Sequence, residues 1–197
     1  MRNRRSNRPG GDDNRGVTAP APPAELVVRR LLAADAPLVQ TAVIESLDHL
    51  RPWMPWVANE PLTLPQRTEL IAGWQAGWDT GDRAYGMFAG GELVGMIGLH
   101  PRIGPGGLEI GYWVRAGRTG RGYATEAARR VTDIAFTLPG VTHVEIHHDV
   151  TNLASGRVPA KLGYALVGQR ARPPAAPAET GTENVWRLDR PPAATTP

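Results

Sequence analysis

The sequence predicts a single α/β domain built on a mixed sheet, and three observations lead there. A strand-like run, Leu108 to Val114, passes through a glycine-rich junction into a segment of helical periodicity. Two further strand-like runs, Tyr85 to Ala89 and Glu92 to Leu99, flank Gly90-Gly91, the signature of a hairpin. Between residues 26 and 188 strand-like and helix-like segments then alternate with no internal repeat.

Each element has its own warrant. Leu26 to Leu31 reads as a strand. Asp35 reads as an N-cap, with Pro37 in the first turn of a helix reaching about His49. Pro65 to Asp79 reads as a second helix, with Trp74 and Trp78 four residues apart on a core face. After the hairpin and the strand Leu108 to Val114, a helix runs to Leu138. Its apolar residues Ala124, Ala127, Ala128, Val131, Ile134, Ala135 and Leu138 fall on one side. His143 to Val150 is a strand, followed by a short helix to Leu162 and strands at Ala165 to Arg170 and Val185 to Leu188. Arg172 to Glu183 reads as a Pro/Ala-rich linker. The folded domain is expected over residues 25–190. Residues 1–24 carry five arginines among Asn, Gly, Asp and Pro with little to bury, and read as a disordered basic tail; 191–197 read likewise.

Composition narrows the function. A chain of 197 residues with 41% hydrophobic content can bury one core. It has no apolar run of about 18 residues and no apolar signal core near its start, so a cytoplasmic protein without a membrane span is expected. Cysteine is absent, which removes disulfides, thiolate metal sites and a cysteine acyl-enzyme. The formal charge is +3. The basic tail has no interleaved aromatic residue for base stacking, so nucleic acid is not the expected partner. No metal set is suggested: His147 and His148 are neighbours on a strand and face opposite sides.

The junction Arg118-Thr-Gly-Arg-Gly-Tyr-Ala-Thr-Glu-Ala127 is the most informative stretch. Glycines at 117, 120 and 122 let the backbone enter the helix closely. Helix-start amides and the positive end of the dipole then form an anion site, to which Arg118 and Arg121 add charge. A pyrophosphate-like group is expected there. The junction is not a nucleotide P-loop, since no Gly-x-x-x-x-Gly-Lys-Ser/Thr exists and Lys161 is the only lysine. A Rossmann loop fits loosely but lacks the third glycine. A plain glycine-rich turn remains open from these residues alone.

Downstream come a strand, Asn152-Leu-Ala-Ser155, and Lys161-Leu-Gly-Tyr164; upstream stands Leu50-Arg-Pro-Trp-Met-Pro-Trp56. Together with Arg121-Gly-Tyr-Ala-Thr-Glu-Ala127, this order resembles the GNAT superfamily of acyl-CoA-dependent N-acyltransferases. The run from Leu50 to Trp56 looks like the opening of its RimJ/RimL-type branch, the ribosomal-protein N-terminal acetyltransferases and their relatives. The resemblance spans roughly residues 25 to 190. It implies a mostly antiparallel mixed sheet of about seven strands with about four helices. Its fourth and fifth strands splay to admit the pantetheine arm.

The resemblance also implies roles. Backbone at Trp113, Val114 and Arg115 would meet the arm, with the Val114 amide polarising the thioester. Thr119, Gly120, Arg121, Gly122, Tyr123 and Ala124 would hold pyrophosphate, although the family prefers Gln or Arg where Thr119 stands. Asn152 and Arg157 join the cofactor contacts. Ser155 matches the position offered as general acid, and Glu109 is the candidate base. Trp53, Trp56 and His100 would line the acceptor site. The implied co-substrate is acetyl-CoA or another short acyl-CoA, and the partner is an amine acceptor, a peptide N-terminus or a small molecule, met by a monomer or homodimer. A succinyl-CoA-dependent transferase and a non-catalytic acyl-CoA-sensing or ribosome-binding module are the alternatives.

One departure stands out. Pro159 falls inside the helix that carries Ser155. It removes the amide that would bond the Ser155 carbonyl, so the helix is expected either to start late or to kink. Gly156, where relatives often have arginine, loosens the same turn.

Overall fold

The computed structural model describes residues 25–192; the tail expected over 1–24 and all but two residues of the tail expected over 191–197 lie outside the described residues. Seven strands form one sheet: β1 (Leu26–Arg30), β2 (Arg83–Ala89), β3 (Glu92–His100), β4 (Gly107–Val114), β5 (His143–Asp149), β6 (Ala165–Ala171) and β7 (Thr182–Asp189). Their order is β1-β2-β3-β4-β5-β7-β6, and every neighbouring pair is antiparallel except β4 with β5. Among the described residues five α-helices complete the domain: α1 (Ala36–Ile44), α2 (Leu47–Leu50), α3 (Leu64–Ala76), α4 (Tyr123–Thr137) and α5 (Leu153–Lys161).

Strand alternation divides the core between the two faces of the sheet. On one face Met87, Ile97, Leu99, Ile110 and Val144 pack under α4, which buries Ala127, Ala128, Val131 and Ala135 as its periodicity predicts. Tyr164 ties the end of α5 to α4 through a 2.6 Å hydroxyl contact with Thr132. On the other face α1, α2 and α3 bring Val39, Val43, Leu50 and Ile71 against Phe88, Leu93, Met96 and Trp113. A buried ion pair, Arg67 with Glu60 at 2.6 Å, holds α3 to the segment after α2. Trp78 packs edge-on against Tyr85 at 5.1 Å, and Trp74 joins the second core, so both serve packing as expected.

Three expectations are corrected. The helix expected from Asp35 to His49 is two helices broken at Ser46. There the amide bonds Val43 O at i−3 and the buried hydroxyl donates to Ala42 O at 2.7 Å. The Asp35 side chain does not cap α1; it accepts the Leu32 amide at 2.8 Å and a paired contact from Arg29. The stretch read as a linker from Arg172 to Glu183 is a tethered loop. Thr180 donates its amide and hydroxyl to Asp149 Oδ2 at 2.6 and 2.9 Å, and Ala178 donates to Pro52 O at 3.0 Å. Anchored there, β7 begins at Thr182 rather than Val185.

Candidate active site

The parallel seam between β4 and β5 is three residues long. Gly107, Leu108 and Glu109 pair with His143, Val144 and Glu145, and beyond Glu109 the strands part. Arg115 donates its amide to Val94 O on β3, and the Trp113 carbonyl likewise faces β3, so of the three residues expected to meet the arm only Val114 turns its backbone to the gap. Alternation then turns the amides and carbonyls of Tyr112 and Val114 into the gap, where a ligand backbone could pair with them.

At the end of β4 the chain turns through Ala116–Arg118 into the glycine loop. Gly120 and Gly122 have φ of 73° and 82°, and Gly122 is the N-cap of α4. Such left-handed backbone favours glycine. No amide from Gly120 to Ala124 has a hydrogen-bond partner among the described residues; the first paired one is Glu126, on Gly122 O at 3.0 Å. An open row of amides at the start of a 15-residue helix fits a pyrophosphate. Arg121 is exposed, whereas Arg118 is paired with Glu92 and Arg115 with Glu45. The loop is braced from the side, because buried Ser46 Oγ accepts the Ala116 amide at 3.1 Å.

Helix α5 sits across the gap. Asn152 Oδ1 accepts the Ser155 amide at 3.2 Å, so Asn152 is the N-cap of α5. Pro159 lies inside this helix, which therefore does not start late. The Ser155 carbonyl is nevertheless satisfied: the Tyr112 hydroxyl donates to it at 2.9 Å and lies 3.0 Å from Ser155 Oγ. Burial raises the Tyr112 pKa, opposed by the Ser155 bond. Gly156 abuts the His148 ring, and exposed Arg157 lines a cleft of about 320 Å³ with His148, Leu153, Asn184 and Trp186.

Glu109 faces the opposite side of β4. It is 7% exposed and held by Arg102 through Nε at 2.9 Å and Nη2 at 2.6 Å. Burial pushes its carboxyl up, but the bonds and charge of Arg102, aided by His147 and His100, outweigh burial and hold it below the usual carboxylate range. His147 Nε2 lies 2.7 Å from Glu145 and Nδ1 lies 3.4 Å from Glu109. Arg170 reaches both His147 and Glu183. His100 is directly opposite Glu109 on β3, over Gly98 and Gly111, and Asp82 lies 2.9 Å from its Nδ1. Asp149 closes the polar patch. Burial would raise its carboxyl, yet bonds from Thr151 and Thr180 hold it at about 2.

The tryptophans divide. Trp56 packs on Trp113 with centroids 6.0 Å apart, on the Glu109 face of β4. Half-buried Trp53 stands next to Pro52, the residue that receives the loop tether from Ala178. The structure thus gathers Glu109, His100, Trp56 and Trp113 on one side of β4. Ser155, Asn152 and Arg157 lie on the other, with the glycine loop at the strand's end. Tyr112, Arg102 and Ser46 were not singled out by sequence, and His147 was weighed only as a metal ligand. For Tyr112 a signal existed, because the carbonyl orphaned by Pro159 requires a donor.

The acetyltransferase (GNAT) domain family matches residues 25–165. YdaF of Bacillus subtilis, named for a proposed ribosomal N-acetyltransferase activity, is 28% identical over 147 residues, covering 73% of this chain and 80% of YdaF. Among solved structures, RimL, a ribosomal L7/L12 α-N-protein acetyltransferase complexed with coenzyme A, superposes with a TM-score of 0.75 at 17% identity, over 85% of this chain and 97% of RimL. Mycobacterium smegmatis RimJ, in complex with a CoA disulfide, gives 0.73 at 22% identity, over 85% and 83%.

Proposed function

The chain belongs to the acetyltransferase (GNAT) domain family and is an acyl-CoA-dependent N-acyltransferase, and from that premise we propose that it transfers acetyl from acetyl-CoA to a protein N-terminal α-amine in a ternary complex. The observation that carries this reading is the gap that opens after Glu109, with a carboxylate on one face of β4 and a hydroxyl on the other. An acyl transfer needs a proton removed from the attacking amine and another delivered to the leaving sulfur, from opposite sides of the carbonyl.

The residues present fit the co-substrate. The open amides from Gly120 to Ala124, with Arg121, would hold pyrophosphate. The gap-facing backbone of Tyr112 and Val114 would hold the arm, and bound acetyl-CoA supplies the thioester. The Val114 amide polarises the thioester carbonyl. Glu109 accepts the amine proton, directly or through a water. Ser155 donates its hydroxyl proton to sulfur and recovers one from solvent. His100 and Trp56, with Trp53, border the acceptor side.

The weak basicity of Glu109 bears on the acceptor. A carboxyl held below its ordinary range removes a proton poorly, so the amine must arrive largely neutral. An α-amine has pKa ≈ 7.7–8.0 against ≈ 10.4 for lysine, a gap worth roughly 3.4 kcal/mol of deprotonation at neutral pH. That favours a peptide N-terminus, and the naming of YdaF and RimL points the same way. A free-thiol assay with acetyl-CoA tests it across peptides with free and blocked N-termini, polyamines and aminosugars. Turnover confined to free α-amines is expected; turnover only with lysine side chains or polyamines overturns the acceptor assignment.

A further inference from the structure

Pro159 leaves a gap in the hydrogen bonding of α5, and Tyr112 fills it from another element. A residue at 159 would ordinarily donate its amide to the Ser155 carbonyl, and proline has none. The Tyr112 hydroxyl, arriving from β4, lies 2.9 Å from that carbonyl and 3.0 Å from Ser155 Oγ. A phenol has one hydrogen. The carbonyl only accepts, so the phenol hydrogen goes there, and the Ser155 hydroxyl donates to the Tyr112 oxygen. With the Ser155 amide on Asn152 Oδ1 at 3.2 Å, every polar group of Ser155 is fixed. In a helix without Pro159 the carbonyl would already have an internal donor, and the phenol's bond to it would be a second one.

We propose that Tyr112 is the positioning residue of the transfer, holding the Ser155 hydroxyl beside the gap and steadying the serine oxygen while its proton moves to sulfur. The inference rests on the reading of Ser155 as general acid. In the transfer the Ser155 hydroxyl turns from Tyr112 to the leaving sulfur, and the Tyr112 hydroxyl turns from the carbonyl to Ser155 Oγ. The Ser155 O–H bond breaks as the S–H bond forms. The serine oxygen keeps the electron pair, accepts the Tyr112 hydrogen bond, and takes a proton back from water. The proton lost by the amine nitrogen goes to Glu109 or to water. Tyr112 keeps its own proton throughout, in accord with the burial that raises its pKa.

The experiment is a set of full-length variants: Tyr112→Phe, Ser155→Ala, Pro159→Ala and their pairs. Each is assayed for kcat of thiol release with acetyl-CoA and a peptide bearing a free α-amine, for CoA affinity by calorimetry, and for thermal unfolding. Pro159→Ala restores an amide for the Ser155 carbonyl, which removes the structural need for the phenol but leaves the hydroxyl to be oriented. Tyr112→Phe should lower kcat about tenfold with CoA affinity within about twofold. In the Pro159→Ala background its Tm loss should shrink while its kcat loss persists. Added to Ser155→Ala it should cost little more, because the two act as a unit. Recovery of kcat in Tyr112→Phe/Pro159→Ala would reduce Tyr112 to a structural donor and overturn the proposal, as would full multiplication of the Tyr112 and Ser155 losses. A tenfold loss in Ser155→Ala with a silent Tyr112→Phe overturns positioning alone. An unchanged kcat in Ser155→Ala overturns the general-acid reading, and this inference with it.

Discussion

Gly156 and His148 compete for the same space: a Cβ on residue 156 would lie 2.7 Å from Cε1 and Nε2 of the His148 ring. The ring is not free to yield. Its Nδ1 donates to the Asp149 carbonyl at 2.7 Å, and its Nε2 accepts from Trp186 Nε1 at 3.0 Å. The glycine that reads in the sequence as a loosened turn is clearance for a locked imidazole.

Gly156→Ala should therefore destabilise the fold by about 1–3 kcal/mol, the usual cost of overpacking a fixed neighbour. The measurement is chemical unfolding monitored by tryptophan fluorescence. A variant as stable as the parent would mean that the ring moves aside without cost.

Coenzyme A binding should depend on the loop's backbone more than on its arginines. Gly122→Asp strains a position at φ 82° and places a carboxylate at the helix start, so it should abolish measurable affinity. Arg121→Ala should cost on the order of 1–2 kcal/mol, one charge-assisted contact. Arg118→Ala should cost less, because that guanidinium is already shared with Glu92. Calorimetry with CoA decides, and normal binding by Gly122→Asp would move the phosphate site elsewhere.

Ser46→Ala removes the hydroxyl that links the α1–α2 break to the entry of that loop. It leaves the Ala116 amide without its partner, at about 1–3 kcal/mol of stability. CoA affinity should fall with it, although Ser46 is buried behind the loop. Unaltered affinity beside lowered stability would show that the loop holds its shape unaided.

Arg102 sets how far into acid Glu109 stays ionised. Burial raises the Glu109 carboxyl and Arg102 more than reverses this, so the base stays ionised below the ordinary carboxylate range. In Arg102→Ala burial is less opposed and the Glu109 pKa rises. The low-pH step of the kcat/KM profile, below the limb set by the acceptor amine, should move to higher pH. An unmoved step would show that another group limits the rate in acid.

Asp149 makes the acid stability of the β6–β7 loop measurable. Its folded pKa of about 2 is below the unfolded value near 3.9. The stability it contributes is thus complete above about pH 4 and is lost as pH falls toward 2. Asp149→Asn should be less stable than the parent at pH 6, with the difference shrinking as acid is added. A constant difference down to pH 2.5 would place the effect in packing instead.

Much of this was legible in the sequence where the information is local. Helix α4 and strand β4 follow from apolar periodicity, and the glycine loop from chain chemistry alone. What escaped is set by distant partners. Ser46 breaks a helix that the sequence reads as continuous, because its hydroxyl serves a residue 70 positions away. The Pro/Ala-rich stretch is ordered because Asp149 and Pro52 receive its amides. The polar patch around Glu109 draws Arg102, His147 and Glu183 from three separate elements, and none of them carries a local pattern.

The short seam between β4 and β5 makes the sheet two slabs, joined by three residue pairs and by the core under α4. A molecule lodged between them is a structural strut as well as a reactant. At a hundredfold excess over its dissociation constant, a ligand of the folded state adds about 2.7 kcal/mol to stability. Each cycle must give that bracing back when the thiol product leaves. Substitutions that wedge the slabs more firmly around coenzyme A should therefore make a sturdier protein and a slower enzyme.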